Sequence, residues 1–262
     1  MSGLVEQELL RARWRRALDA VALDRTDRDD FASRGLAARL KIVSAQLLLL
    51  PCDPEATNLV LDDALSNWLQ ARQSLPLDRI TVTLPANPRR TAHALALADT
   101  YDQTWDSYLA LHRSGAIEYG LGNRGGWDGV DRERNAVRII TLTPIIARVW
   151  AVLHLAAELA QQRELSGPYQ LTVGVQSTQG ALLGSLGEGW AEPGDYQNHV
   201  SPCREDHLLW HLEFDTLPDQ TTARDIAYSV GDRLEDAWGV PQRRYLAHRG
   251  GYENELDPRR VN

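Results

Sequence analysis

Lysine is almost missing from this chain. Lys41 is the only one, so the basic charge is nearly all arginine. That bias reads as a GC-rich coding background, with arginine chosen for bidentate phosphate contacts as the alternative. Basic residues are also outnumbered: 28 Lys and Arg stand against 36 Asp and Glu, for a net charge of −8. Such a balance argues against non-specific nucleic-acid binding over the whole surface, although a local basic patch remains compatible with it. Cysteine is scarce too. Cys52 and Cys203 cannot form a disulfide framework, and no secretory leader is read at the start, so cytoplasmic residence is the expectation. Long hydrophobic runs are missing, the longest purely aliphatic one being Leu47–Leu50. The apolar stretch from Thr143 to Leu165 is interrupted by Arg148, His154 and Glu158, so no membrane span is expected. No P-loop, G-x-S-x-G, H-E-x-x-H or C-x-x-C occurs, so the familiar routes to phosphate binding, nucleophilic catalysis and zinc are not signposted.

What is present is organised around Thr143–Leu165. Thr143 suits a helix cap, Pro144 the first turn, and Gly167-Pro168 the stop. The segment is apolar on nearly every face and should be buried nearly all round. Val137–Leu142 before it and Tyr169–Val175 after it read as strands, which predicts a central β-α-β unit.

Upstream, residues 4–22 form an amphipathic pattern, with Leu10, Trp14, Leu18 and Val21 on one face. Leu36, Leu40, Val43, Leu47 and Leu50 then recur at spacings of four and three, a heptad-like seam. Leu61, Leu65 and Trp68 repeat the spacing, so residues 1–75 are expected to form a helical bundle or hairpin. From Pro76 the character changes. Ile80, Val82 and Leu84 alternate with threonines as in a strand. Residues 89–112 read as a long helix with Ala94, Leu97, Tyr101, Trp105, Tyr108 and Leu109 on a broad apolar stripe, and Ala116–Leu121 as a strand. Residues 122–135 and 176–206 read as loops. Leu208–Phe214 alternates, and a last helix begins near Thr221/Thr222 and closes at Gly239. The expected fold is α+β: a ferredoxin-like β-α-β-β-α-β sandwich over residues 76–241 with an extra C-terminal strand and helix. An open α/β sheet is the alternative. Residues 242–262 read as a loosely held polar tail.

Candidate chemistry is sparse. Gly120–Gly125 matches G-x-G-x-x-G after a strand, but Trp127-Asp128-Gly129 follows where a helix should start, so it reads as a loop between strands. His199, Cys203, His207 and His211 stand four apart and would form a metal row on a helix. Pro202 and the strand pattern at 207–214 oppose that, and no cofactor or metal is expected. His154 reads as a core histidine with Glu158 in reach. Arg13 and Arg16, in the cluster at 11–16, are the candidate nucleic-acid contacts, or else the wet side of an amphipathic helix.

Three stretches carry a resemblance: SGAIEYGLG (114–122), LTVGVQSTQGALLGSLGEGWAEP (171–193) and CREDHLLWHLEFD (203–215), followed by LEDAWGVP (234–241). Together they are similar to the region C-terminal to the Schlafen-type Alba-like domain in bacterial predicted ATP-binding or transcription-regulator proteins. The Alba-like domain itself is not found. The resemblance implies a companion domain with a binding or sensing role and carries over no catalytic residue. Glu118, Gln176, Trp190 and Arg204 are the expected ligand-facing residues, chosen as polar or aromatic groups beside strand ends and Gly-rich turns. The expected function is non-enzymatic binding or regulation. The helical part would serve self-association, giving a homo-oligomer or a docked protein partner, and the α+β part a ligand or partner. A nucleic-acid-associated component of a bacterial regulatory or defence system, and a metal-dependent enzyme using 199–211, are the alternatives.

Overall fold

The computed structural model describes residues 45–51, 59–91, 93–101, 104–122, 125–130, 135–163, 165, 167–184, 202–240, 246–247 and 255–256. The expected helix at 4–22, Leu36 to Val43 of the seam, Arg13, Arg16, Trp190 and His199 lie outside them. The fold is α+β, built on a large antiparallel sheet and a few helices. In chain order come β1 (Ala45–Pro51), α1 (Asp63–Gln70), β2 (Ser74–Leu77), β3 (Ile80–Thr83), β4 (Asn87–Arg90), β5 (Ala94–Tyr101) and β6 (Thr104–His112). Then follow β7 (Ile117–Leu121), β8 (Gly126–Val130), β9 (Ala136–Thr141), α2 (Leu142–Arg163), β10 (Tyr169–Gln176) and β11 (Leu182–Gly184). Last are β12 (His207–Phe214), α3 (Gln220–Ala237), and the two-residue strands β13 (Leu246–Ala247) and β14 (Glu255–Leu256).

The main sheet has seven strands in the order β12-β10-β1-β7-β6-β5-β4, every neighbouring pair antiparallel. Alternation gives it two faces. Leu47 and Leu49 of β1, Leu95 and Leu97 of β5, Leu109 and Leu111 of β6, and Leu171 and Val173 of β10 point to the first face. There they enclose α2, which is buried from Leu142 to Val152 without a break. The β2–β3 hairpin, α1 and α3 add Leu65, Leu77, Val82 and Leu234 to the same core. By composition α2 is long and apolar enough to cross a membrane, yet 83% of its most apolar window is buried inside the fold. The one charged residue between Leu142 and Val152, Arg148, is fully buried and its Nη2 donates to the Thr83 carbonyl at 3.5 Å.

Several expectations need correction. Residues 89–112 are not a helix but β4, β5 and β6. Alanine and leucine favour helices in isolation, but pairing of Leu95 with Leu111 and Leu97 with Leu109 in one sheet outweighs that propensity. The sheet order therefore differs from that of a ferredoxin-like sandwich. Leu47 and Leu50 do not belong to a helical seam: Ala45–Pro51 is the strand between β7 and β10, and residues 59–75 join the same core as the rest. The β-α-β elements around α2 are present, but β9 and β10 lie in different sheets. The parallel partner of β9 is β11, in a three-stranded sheet β11-β9-β8 that also claims residues read as loop at 126–130 and 182–184. Within the expected polar tail, Leu256 is buried and its amide donates to Tyr228 Oη at 3.3 Å.

Helix ends follow local chemistry. Asp62 caps α1, accepting from the Leu65 amide at 2.8 Å, and Asp219 caps α3 through the Thr222 amide at 2.8 Å. The Thr222 backbone N–H holds the exposed Asp219 carboxyl below its ordinary pKa. Gly239, at φ +67°, takes the left-handed conformation that ends α3, where the Val240 amide returns to the Glu235 carbonyl at 3.0 Å.

Candidate ligand-binding face

The second face of the main sheet differs in kind from the first. Its middle strands present Ala94, Ala96 and Ala98 on β5, Ala110 on β6, Gly120 on β7 and Gly174 on β10. Around β5, β6 and Gly120 these small residues make a low floor, while Leu48 and Leu50 of β1 stand taller on the same face. With Trp105 and Tyr108 the alanines form a buried cluster separate from the main core, contributed by β5 and β6 alone among the described residues. The Trp105 and Tyr108 rings are tilted by 52° with centroids 5.4 Å apart.

Four polar side chains stand on this floor: Gln46 on β1, Tyr108 and His112 on β6, and Glu118 on β7. Register brings them together. Gln46 and Tyr108 flank Gly120 from opposite sides, and Glu118 is two residues before Gly120 on the same strand. The Tyr108 hydroxyl donates to Glu118 Oε1. Gln46 Nε2 donates to the same oxygen at 2.8 Å and lies 3.5 Å from Tyr108 Oη. His112 Nε2 is 2.9 Å from Glu118 Oε2; opposite an ionised carboxylate that nitrogen carries the proton. Gln46, His112 and Glu118 are no more than 3% exposed.

A buried carboxylate is costly unless hydrogen-bonded, and three donors converge on this one. Burial, then the nearby Glu118 charge and the hydrogen bond to it, push the Tyr108 phenol well above its ordinary pKa, the Gln46 contact opposing. The orientation of Gln46 is dictated as well. Turning its amide over would set Oε1 against a carboxylate oxygen. With Nε2 committed to Glu118, Oε1 is left buried with no partner among the described residues. The arrangement thus holds a carboxylate with three donors on its two oxygens and, beside it, an amide oxygen with no partner among the described residues. Its phenol stays neutral at ordinary pH and donates to the carboxylate.

The other candidates are dispersed. Gln176 is half-buried at the end of β10, opposite His207, and Arg204 is exposed. Of the three expected ligand-facing residues that are described, Glu118 takes part in the network and Gln176 and Arg204 do not; Trp190 lies outside the described residues. Cys203 is buried, its Sγ 3.7 Å from the Glu205 carbonyl. His207 and His211 both sit on the second-face side of β12, about 13 Å apart at the usual strand rise, too far to share one ion. Among the described residues no group of three His, Cys, Asp or Glu side chains is placed to hold a metal. His211 is occupied locally: its Nδ1 lies 3.0 Å from Thr172 Oγ1, and burial lowers its pKa against the pull of Glu213. His154 Nε2 is 3.5 Å from Glu158 Oε1, and Glu158 Oε2 meets Arg72 Nε at 2.5 Å. Arg72 in turn lies 4.2 Å from the centre of the Trp68 ring, so this group clamps α1 to α2.

Sequence reasoning passed over Gln46, Tyr108 and His112 because it placed them in helices or outside any pattern. One signal was available. Alanine recurs at 94, 96 and 98 with leucine at 95 and 97, an alternation of large and small that suits a two-faced strand. No protein-family model, curated protein or solved structure matches the chain.

Proposed function

We propose that this chain is a non-enzymatic binding protein whose α+β part takes a small ligand on the second face of the main sheet. The observation that carries this reading is the buried Gln46 Oε1, without a partner among the described residues, beside a carboxylate that accepts from three donors. Trp68 Nε1, Ser114 Oγ and Trp150 Nε1 are also buried without a hydrogen-bond partner among the described residues, but Gln46 Oε1 alone of these stands in a cluster of buried polar side chains, where a ligand N–H completes it. The alanine floor and the Trp105–Tyr108 pair suit a flat ring. The Glu118 charge disfavours anions. The ligand class is therefore a neutral, flat heterocycle with at least one N–H donor. Because the network is enclosed, entry requires this face to open, and association is slow relative to diffusion. The N-terminal part serves partner docking, and the resemblance to a companion domain of bacterial regulators, with work in the cytoplasm, is consistent with a sensing role.

The test is a thermal-shift screen of the full chain with free adenine, guanine, cytosine, uracil and nicotinamide as probes. At least one is expected to raise the melting temperature in a concentration-dependent way. No shift from any of the five would overturn the assignment of ligand class.

A further inference from the structure

The main sheet has two edges, and they are built differently. β4, at one edge, is four residues long and entirely exposed, and it carries Pro88, Arg89 and Arg90. Proline, charge and shortness are the usual means of keeping an edge from pairing with another chain. β12, at the other edge, has neither the proline nor the shortness, and its one carboxylate, Glu213, is its only acidic or strongly basic residue. It runs eight residues in unbroken register with β10, without a bulge, and contains no proline, lysine or arginine. Among the described residues β10 is its only neighbour in the sheet. Leu209 is 45% exposed, one of two large hydrophobic residues so exposed among those described. His207, His211 and Glu213 are exposed on the same side, and Trp210, Leu212 and Phe214 are half-exposed on the other.

From this contrast we infer that β12 is an interface for a second copy of this chain, the two strands pairing antiparallel about a two-fold axis at Trp210. The sequence of the strand is self-complementary in that register. Trp210 falls opposite its own copy, giving an aromatic cross-strand pair. Leu208 falls opposite Leu212. On the other side His207 falls opposite Glu213, and Leu209 opposite His211, so each acidic group meets an imidazole and no like charges are opposed. Trp210 pairs once, on the axis, and every other pairing occurs twice, as a two-fold interface requires. Backbone groups on the edge that no described strand pairs with gain partners, and the sheet becomes continuous across the two copies. This inference is independent of the ligand reading, since it rests on β12 alone.

Sedimentation equilibrium of the full chain over a range of concentrations tests it. The expected species is a dimer of the 29.3 kDa chain. Leu209→Lys, at an exposed position and with far-UV circular dichroism as the fold check, should give a monomer. Glu213→Lys should weaken the dimer by about tenfold, the combined effect of losing both symmetry-related copies of an exposed charge contact. The double change His207→Glu with Glu213→Lys should restore it, because the exchange preserves complementarity in this register and no other. A wild-type chain that stays monomeric at hundreds of micromolar would overturn the inference. So would a dimer that Leu209→Lys leaves intact, which would place the contact elsewhere, or a double variant no tighter than Glu213→Lys.

Discussion

The Tyr108 ring occupies the space that a side chain on Gly120 would need. A β-carbon at Gly120 would come within 2.2 Å of Tyr108 Cε1 and 2.7 Å of Cζ. The two residues are cross-strand partners, and the ring lies over the glycine so that its hydroxyl reaches Glu118 on the same strand. Gly120 is thus a condition for the network and not only part of a glycine-rich run.

Gly120→Ala should therefore destabilise the fold by about 2 kcal/mol, typical of overpacking in a closed site. Urea unfolding measures it. Pairing the change with Tyr108→Ala should recover much of the overpacking loss, because the clash is specific to that ring, so the two effects should be clearly non-additive.

Glu118 separates charge from shape. Glu118→Leu leaves Tyr108, Gln46 and His112 without their acceptor and should cost about 3 kcal/mol. Glu118→Gln keeps the shape, and a change of His112 tautomer allows it to accept from the new amide. Its cost should be about half as large. Chemical denaturation of both variants checks the order; equal losses would mean that the hydrogen bonds contribute little.

The helix at the centre was legible because its signals agree. Pro144 in the first turn, the Gly167-Pro168 stop and an apolar span on all faces identify α2 from sequence, and the structure sets it at 142–163. The strands of the second face were not legible for a physical reason. Ala94 to Ala98 and Leu109 to Leu111 are good helix formers, and their strand state depends on partners far away in the chain. Leu47 to Leu50 mimics a helical seam because β1 is buried on both faces, which removes the apolar–polar alternation. The site suffers accordingly. Glu118 was singled out, but Gln46 is 72 residues from it in sequence, and only the sheet register brings them to 2.8 Å. No local spacing encodes that meeting.

The Tyr108 phenol gives a pH signature. In the unfolded chain it ionises near its ordinary value of 10.0, whereas burial keeps it protonated in the fold. Above that pH the unfolded state releases a proton that the folded state retains. Stability is therefore unaffected below about pH 10 and falls as pH rises beyond it, by about 1.4 kcal/mol per pH unit for one such proton. Tyr108→Phe should flatten the fall, as measured by denaturant midpoints at stepped alkaline pH. Spectrophotometric titration should show one fewer late-ionising tyrosine in the variant.

Arg72 holds α1 against α2 through Glu158 and stacks on Trp68. Arg72→Ala should cost about 1 kcal/mol, the scale of a half-exposed pair with an added ring contact. Arg72→Lys should restore only part of that, because an ammonium lacks the planar face that lies on the indole. Thermal unfolding at low and high salt should show the charged share of the loss shrinking with salt.

Gln46 is the residue on which ligand binding at this face depends most directly. Isothermal titration should be run with whichever of the five heterocycles binds wild type, on wild type, Gln46→Leu and Arg204→Ala, each first shown to be folded. Loss of one buried hydrogen bond should weaken binding to Gln46→Leu by about tenfold, while Arg204→Ala, an exposed residue away from the network, should leave the Kd unchanged. An unchanged Kd in Gln46→Leu would contradict the placement of the ligand on this face.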